Sequence, residues 1–411
     1  MKHKRIVVTG LGVLAPNGNG VAAYWNALLN GVSGIDRITY FDPGDYPVQI
    51  AGELKDFHPE TILEPTQLRK LDPFTIFALV SAQEAWDQSG LNINTLDPTR
   101  IGVSLGTGVG GIQTLEDQHT VISNRGSRRV SPHFVPKMIA NIAGAHLSIR
   151  FGLQGPNQTV TSACASATDA IGIAARILQY GDADVMLCGG SEASITPLTI
   201  AGFGNMKALS KRNDPPQAAS RPFDKDRDGF VLGEGAGILV LETLDHARKR
   251  SAPILAELAG YGASDDAFHV TQPSQQGPAQ AMARALQDAE LNPEDVDYVN
   301  AHGTSTPYND KNETAAIRSV FGTAAERLHI SSTKSMTGHL LGASGGIEAV
   351  ATVKSLQEQV APPTINYTTP DPECDLQYIP NTPREFPIRA AISNSFGFGG
   401  HNGVLLFTKW N

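Results

Sequence analysis

The stretch Gln158-Thr159-Val160-Thr161-Ser162-Ala163-Cys164-Ala165-Ser166-Ala167-Thr168 carries the decisive signal. Gln158 to Thr161 reads as a strand. Ala165 to Tyr180 is rich in small residues at helical spacing and closes at Gly181, a usual helix stop. Cys164 therefore falls at a strand-to-helix junction. Unpaired N–H groups and the positive end of the helix dipole gather there. Both favour a thiolate over a thiol, whose free pKa is about 8.5. A lone cysteine is more commonly a small buried hydrophobe. Histidines elsewhere in the chain argue for chemistry instead.

The same grammar recurs downstream. The strand Leu328 to Ser332 runs through Thr333-Lys334 to the glycine-rich Gly338-His339-Leu340-Leu341-Gly342-Ala343-Ser344-Gly345-Gly346, then into the helix Gly345 to Gln357. This echo predicts an internal duplication, two similar α/β halves packed face to face. The boundary is placed near residue 250, giving 1–250 with the cysteine and 251–411 with the histidines. Small residues in both helices (Ala167, Ala170, Gly172, Ala174; Gly345, Gly346, Ala349, Ala351) permit close approach at the centre. Around them, short apolar runs alternate with helix-period segments, the α/β pattern. Strands are predicted at Arg5 to Val8, Arg100 to Leu105, Gly181 to Glu192, Gly235 to Glu242, Val296 to Ala301, Ala390 to Ser395 and Gly403 to Lys409. Helices are predicted at Phe74 to Gly90 and Pro278 to Leu291.

With 411 residues, 41% of them hydrophobic, the chain can bury a large core. Its formal net charge of −9 argues against nucleic acid as the main partner. No apolar run reaches membrane-spanning length, and the N-terminus enters a strand without a signal-peptide core. Cys164, Cys188 and Cys374 form no disulfide framework. A reducing, cytoplasmic setting is expected, or a plastid stroma if a transit peptide has been removed.

Two motifs mislead. Gly10-Leu11-Gly12 and Gly106-Thr107-Gly108-Val109-Gly110-Gly111 imitate a dinucleotide fingerprint, but no acid-ended second strand follows. Tight turns and close backbone approach explain these glycines better. Asp224-Lys225-Asp226-Arg227-Asp228-Gly229 imitates a calcium loop, yet its twelfth position is Gly235 rather than Glu. A solvated turn is expected there.

Three of the eleven histidines share a setting. His302, His339 and His401 each lie past a strand's carboxyl end beside glycine, where open α/β sheets place ligands. One His could serve as base to a Cys nucleophile. Two neutral imidazoles could instead donate hydrogen bonds to a developing enolate oxygen. A zinc site lacks any closely spaced ligand pair. Lys334, five residues before His339, could orient that ring, and Glu313 could pair with Lys334. Either could equally be a solvated surface charge.

At this point the motifs are jointly specific. Thr161-Ser162-Ala163-Cys164-Ala165, Asn300-Ala301-His302-Gly303-Thr304-Ser305-Thr306-Pro307, Lys334-Ser335-Met336-Thr337-Gly338-His339 and Asn394-Ser395-Phe396-Gly397-Phe398-Gly399-Gly400 resemble the β-ketoacyl-[acyl-carrier-protein] synthases, most of all the synthase II branch of dissociated fatty-acid synthesis. Arg221-Pro222-Phe223-Asp224 through Gly235 fits the same pattern, and the likeness runs from Val7 to the C-terminus. It implies a thiolase-like fold, two duplicated α/β halves in a layered α-β-α-β-α core. It also implies a decarboxylative Claisen condensation of an acyl thioester with malonyl-acyl carrier protein in fatty-acid elongation.

The resemblance assigns roles. Cys164 would hold the acyl group. His302 and His339 would bind the malonyl thioester oxygen and stabilise the enolate. Lys334 would orient the His339 region, with Glu313 supporting Lys334. Backbone N–H groups of Cys164 and Phe398 would form the oxyanion hole, and Phe398 would gate the pocket. Thr304 and Thr306 would bind the phosphopantetheine arm. Val109, Phe230 and Phe396 would line the substrate site, Val109 near its far end. His401 stands where many relatives have Thr and would lie outside the catalytic set. Carrier-protein docking would fall to Arg125, Arg128, Arg129, Lys207, Lys211 and Arg212. The enzyme would be a homodimer needing no cofactor or metal of its own, since the phosphopantetheine belongs to the carrier.

The alternatives are a polyketide ketosynthase or a synthase I of the same chemistry, and a non-catalytic chain-length-factor subunit. The last would lack the nucleophile that Cys164 supplies. A thiolase would use coenzyme A and a second cysteine near the C-terminus, and the Phe396 to Asn402 turn has none.

Overall fold

The computed structural model describes residues 4–410. Its axis is β1, Ile6–Ala15, ten residues buried along their whole length. A strand covered on both faces reads as an apolar run interrupted only by small residues, and Ile6-Val7-Val8-Thr9-Gly10-Leu11-Gly12-Val13 is such a run. Gly10 and Gly12 lie within this strand rather than in a turn. A Cβ on Gly12 would sit 1.9 Å from the Ser81 carbonyl, so the glycines let α1, Pro73–Ser89, lie against the sheet. That helix begins at Asp72, whose carboxylate accepts the Phe74 N–H, and ends on Gly90 at φ +67.

Nine further strands share the path of the main sheet: β2 Ile101–Gly106, β3 Asn157–Val160, β4 Val185–Glu192, β5 Gly235–Thr243, β6 Ala256–Asp265, β7 Tyr298–Asn300, β8 His329–Ser331, β9 Ala390–Phe396 and β10 His401–Thr408. Spatially they run β8-β7-β9-β10-β6-β1-β5-β4-β2-β3. Numbered within its own half, each set of five has the order 3-2-4-5-1. The pairings match as well. β2 is parallel to β3 and β4, and β7 is parallel to β8 and β9. β4–β5, β5–β1, β9–β10 and β10–β6 are antiparallel. β1 and β6 join the halves through Ile6↔Leu258, Val7↔Glu257 and Val8↔Ala256.

Five of the other helices matter for the layering: α2 Ile112–Arg125, α3 Ser166–Tyr180, α4 Gln276–Asp288, α5 Pro307–Phe321 and α6 Ser344–Glu358. α3 and α6 form the middle layer. Ile171, Ala174 and Leu178 share one core cluster with Ile347, Val350 and Val353. α1 covers the outer face of the first sheet half, and α4 and α5 cover that of the second. The result is the thiolase-like α-β-α-β-α layering.

The strand β6 and the helices α2 and α5 were not anticipated. The Asp224–Gly229 segment is not a solvated turn. Asp224 and Arg227 are buried, because Asp224 accepts the N–H groups of Thr368 and Thr369 at 2.6 and 2.7 Å. Asp226 and Asp228 turn to other partners, Thr369 and Ser210, so the three carboxylates diverge.

Candidate active site

Cys164 rides on the turn between β3 and α3. Ala163–Ala165 make one 3₁₀ turn before α3 begins. Ala163 sits at φ +50, a conformation alanine keeps only when neighbours hold it. Ser166 Oγ does so, accepting the Ser162 N–H at 2.9 Å and donating to the Ala163 carbonyl at 2.7 Å. Ser162 Oγ donates to Asp169 at 2.5 Å, and Asp169 also accepts the Tyr261 hydroxyl of β6 at 2.8 Å. The turn is thereby pinned to the opposite half.

The thiol is not held as a thiolate. Burial pushes it up to about 11, against the Lys334 ammonium and the backbone N–H groups of Phe398 and Cys164. Desolvation outweighs the helix end that the sequence pointed to.

His302 follows β7 and is buried. Its N–H and that of Gly303 each donate to the Glu313 carboxylate at 2.8 Å, and Asn394 adds a third donor at 3.0 Å. Glu313, on α5, is 1% exposed and therefore no surface charge. Burial raises its pKa, and these donors pull it back. It clamps the backbone under His302 and does not pair with Lys334.

Lys334 instead forms a buried ion pair with Glu348 of α6, and its Nζ lies 3.4 Å from His302 Nδ1. It orients His302, not His339. Gly338 at φ +69 turns the chain between Lys334 and His339, so nearness in sequence does not become contact. His339 is set by Ser344 Oγ, 2.8 Å from its Nδ1, and by the Leu341 N–H at 3.2 Å.

These neighbours decide the tautomers. Lys334 faces Nδ1 of His302, and the Leu341 N–H donates to Nδ1 of His339. Each Nδ1 is thus an acceptor, and each Nε2 carries the proton. Burial first, then Lys334, holds both rings well below the usual imidazole range, so both are neutral at pH 7. His339 Nε2 is buried with no partner among the described residues, a donor awaiting an acceptor. The rings meet edge to face at 5.3 Å.

One ligand atom from each of Cys164, His302 and His339 falls within 4.8 Å of the others. That spacing alone would suit a thiophilic cation. A metal-binding imidazole, however, needs a second-shell acceptor on its far nitrogen. Here the far nitrogen of His302 meets an ammonium, and that of His339 meets the Leu341 N–H and the Ser344 hydroxyl, whose oxygen already accepts the Leu340 N–H. The set is built to donate hydrogen bonds rather than to ligate.

The three groups open into a cavity of about 550 Å³. Thr304, Thr306, Val109, Phe230, Phe396 and Phe398 are among the residues that line it. Phe230 packs edge-on against His339 at 5.3 Å, and Phe396 against His302 at 5.7 Å. Phe203, which sequence reasoning missed, lies 5.4 Å from Phe230 and 6.5 Å from Phe398. Thr304 and Thr306 share a hydrogen bond at 2.9 Å. Glu192, also missed, is a fully buried carboxylate beneath the wall. It accepts the N–H groups of Gly108, Val109 and Gly342 at 2.6, 3.2 and 3.0 Å. Glu348 had left a signal, an acid on the apolar helix Ile347-Glu348-Ala349-Val350. Ser344 had left none.

His401 does not line the cavity. It opens β10, is exposed, and has its Nδ1 3.9 Å from Asp265. The six docking cations do not form one patch at the mouth. Lys207 lines the cavity. Arg212 is held by the Asp226 carbonyl at 2.7 Å and by Asp228 at 3.7 Å. Lys211, Arg125, Arg128 and Arg129 are exposed but outside the lining, the three arginines at the far end of α2 and just beyond it.

Residues 3–247 match the family model described as "Beta-ketoacyl synthase, N-terminal domain", and residues 255–368 match "Beta-ketoacyl synthase, C-terminal domain". The chain belongs to the β-ketoacyl synthase family. It is 51% identical to a Synechocystis 3-oxoacyl-[acyl-carrier-protein] synthase 2 over 100% of this chain and 99% of that one. A Staphylococcus aureus protein of the same name is 50% identical with the same coverage. Among solved structures, a type II PKS acyl-carrier protein in complex with its ketosynthase bound to the hexaketide matches with a TM-score of 0.93, 36% identity and full coverage of both chains. A β-ketoacyl synthase from Burkholderia phymatum matches with a TM-score of 0.92 and 34% identity, over 99% of this chain and 100% of that one.

Proposed function

We propose that this chain is a 3-oxoacyl-[acyl-carrier-protein] synthase of the synthase II type, an acyltransferase that extends fatty acyl chains by decarboxylative condensation. One observation carries the reading: two neutral imidazoles present Nε2–H donors beside a cysteine thiol in an apolar cavity. Cys164 attacks the acyl thioester. The S–C bond to the enzyme forms, the carrier's thiol departs, and the Cys164 proton ends on that leaving thiol. The N–H groups of Cys164 and Phe398 supply the oxyanion hole. Malonyl thioester then binds with its carbonyl oxygen on His302 and His339. Its C–C bond breaks, CO₂ leaves, and the electron pair becomes an enolate held by the two donors in a dry pocket. The enolate carbon attacks the acyl-cysteine, and the Cys164 sulfur leaves and takes up a proton from solvent, the one proton the overall reaction consumes.

Within this reading the half 1–250 supplies the nucleophile and 251–411 the histidines. Lys334 keeps His302 neutral, and Glu348 balances that lysine. Glu313 holds the His302 backbone. Thr304 and Thr306 contact the phosphopantetheine arm of an acyl carrier protein, and no cofactor of the enzyme's own is used. Phe398 gates entry, its ring flanked by glycines that permit rearrangement. Lys207 at the mouth attracts the acidic carrier.

A second copy completes the enzyme as a homodimer. β3 is an open sheet edge with Asn157 and Gln158 exposed, and Leu115, Ile122, Val135 and Ile149 are exposed apolar side chains. Such an edge is a template for pairing. Sedimentation as a monomer at micromolar concentration would remove this part. A cytoplasmic placement belongs to the same reading; no helix among the described residues is long and apolar enough to cross a membrane.

The test is turnover of acyl-carrier-protein thioesters of graded length with malonyl-carrier protein, with CO₂ release measured separately. His302→Ala or His339→Ala should each slow CO₂ release by roughly 100-fold or more, the scale of a lost oxyanion donor. Acylation of Cys164 should survive better. Wild-type CO₂ release in both variants would end the assignment.

A further inference from the structure

Arg227 lies in the segment that imitates a calcium loop, and the reaction as derived does not use it. Its side chain is 4% exposed. The guanidinium donates to the carbonyls of Thr306 and Pro307, each at 3.1 Å, and to that of Asp224 at 2.8 Å. It pairs with Asp371 at 2.5 Å and lies 3.7 Å from Asp310. It is the hub between the C-terminal loop and the Thr304–Pro307 turn.

That turn needs holding. Ser305 sits at φ +67, which a non-glycine residue keeps only when its surroundings enforce it. The enforcement comes from the same segment as Arg227. The Arg221 N–H donates to Ser305 Oγ at 2.9 Å, and the Gly229 N–H to the Ser305 carbonyl at 3.1 Å. Thr306 is the N-cap of α5 and shares a hydrogen bond with Thr304.

Arg227 is not there to support the helix. A cation at a helix N-terminus opposes the dipole, and Asp310 and Asp371 are needed to offset it. Burying such a charge is seldom a net gain in stability. Its planar fork, however, reaches two consecutive carbonyls at once, which a lysine cannot do.

We propose that Arg227 is a positioning residue that sets the two threonine hydroxyls for the phosphopantetheine arm. This rests on the reading of Thr304 and Thr306 as arm contacts. The fork and Asp371 together decide how well the arm binds, without touching it and without entering the chemical steps.

The test compares two acyl donors in the full-length protein: octanoyl-pantetheine and S-phenyl thiooctanoate, which has no arm. Transfer of the octanoyl group to Cys164 is followed by intact mass. For Arg227→Lys, KM for the pantetheine thioester should rise about tenfold with kcat within about twofold. KM for the phenyl thioester and the rate of Cys164 alkylation by iodoacetamide should stay at wild-type values. Equal rises for both donors, or no rise for either, would overturn the proposal. Should Arg227→Lys fail to fold, Asp371→Asn decides. It leaves the fork but frees its anchor, and should raise KM about threefold for the pantetheine donor alone. Acyl transfer by the wild-type protein tests the functional reading separately. If that succeeds and the variants do not discriminate, only the Arg227 assignment falls.

Discussion

Two turns in this molecule descend from one plan and have been put to different work. In the first half, Ser162-Ala163-Cys164-Ala165-Ser166 leads into α3. In the second, Leu340-Leu341-Gly342-Ala343-Ser344 leads into α6. Both contain a 3₁₀ turn that starts on a non-glycine residue at positive φ, Ala163 at +50 and Leu341 at +46. In both, the last serine accepts the first residue's N–H at 2.9 Å. They differ in where that serine sends its proton. Ser166 donates to its own turn, the Ala163 carbonyl, and so stiffens the seat of Cys164. Ser344 bonds His339 Nδ1 and so helps set an imidazole of the cavity. At the position of Cys164 the second turn has Gly342, whose N–H goes to Glu192.

A second pair repeats the lesson. After β2, the N–H groups of Gly108 and Val109 converge on Glu192. After β7, those of His302 and Gly303 converge on Glu313. One carboxylate comes from the end of β4 and the other from α5. A turn of consecutive N–H groups needs an acceptor, and the fold supplies one from whichever element is near. The duplicated backbone is kept, and the side chains carry the division of labour.

The largest effect should come from trying to exchange the two turns. Cys164→Ala should abolish acylation. Adding Gly342→Cys should not restore it, because a Cβ there would lie 2.2 Å from the Gly108 nitrogen. Intact-mass detection of an acyl adduct on the double variant would show the turns to be interchangeable and break the comparison.

A smaller effect should separate the serines. Ser344→Ala should slow CO₂ release on the order of tenfold, the rate equivalent of one hydrogen bond worth about 1.4 kcal/mol, and spare acylation. Ser166→Ala should do the reverse. Identical profiles for the two variants would mean that neither serine is specialised.

The smallest effect is a shift in pH dependence. Alkylation of Cys164 by iodoacetamide should keep rising through neutral pH, with a midpoint about 11, because the buried turn disfavours the thiolate. Lys334→Met should move that midpoint higher still, since the ammonium lowers the thiol's pKa. The same change should make His302 easier to protonate, so the acid limb of CO₂ release should move to higher pH. Pairing it with Glu348→Gln avoids leaving a bare buried carboxylate. A midpoint near 7 in the wild type would reject burial as the dominant influence.

Much of the plan was legible along the chain. Strands that alternate with capped helices carry period and stop signals, so α1, α3, β4, β5, β9 and β10 were recovered within a few residues. β6 was not, although it joins the halves. Its Ala256-Glu257-Leu258-Ala259-Gly260-Tyr261-Gly262-Ala263 alternates between buried and half-buried positions but is built mostly of small residues. Glycines there let α4 lie close, and they erase the hydrophobic signal of a strand. α5 begins with polar residues because Asn309, Asp310 and Glu313 serve buried networks, so its pattern reads as surface.

By itself the sequence determined the order of strand, turn and helix in two copies, and with it the residues that could do the chemistry: Cys164, His302, His339, Lys334 and Glu313. Only the tertiary structure decided how they pair. Lys334 finds Glu348 and His302 rather than Glu313 and His339. Glu313 finds two backbone N–H groups. The cysteine is a thiol and both imidazoles are neutral donors. The reason is physical. Local conformational preference is written in a few neighbouring residues, whereas hydrogen-bond partners and desolvation depend on which groups are buried together. In this fold those groups come from both halves of the chain.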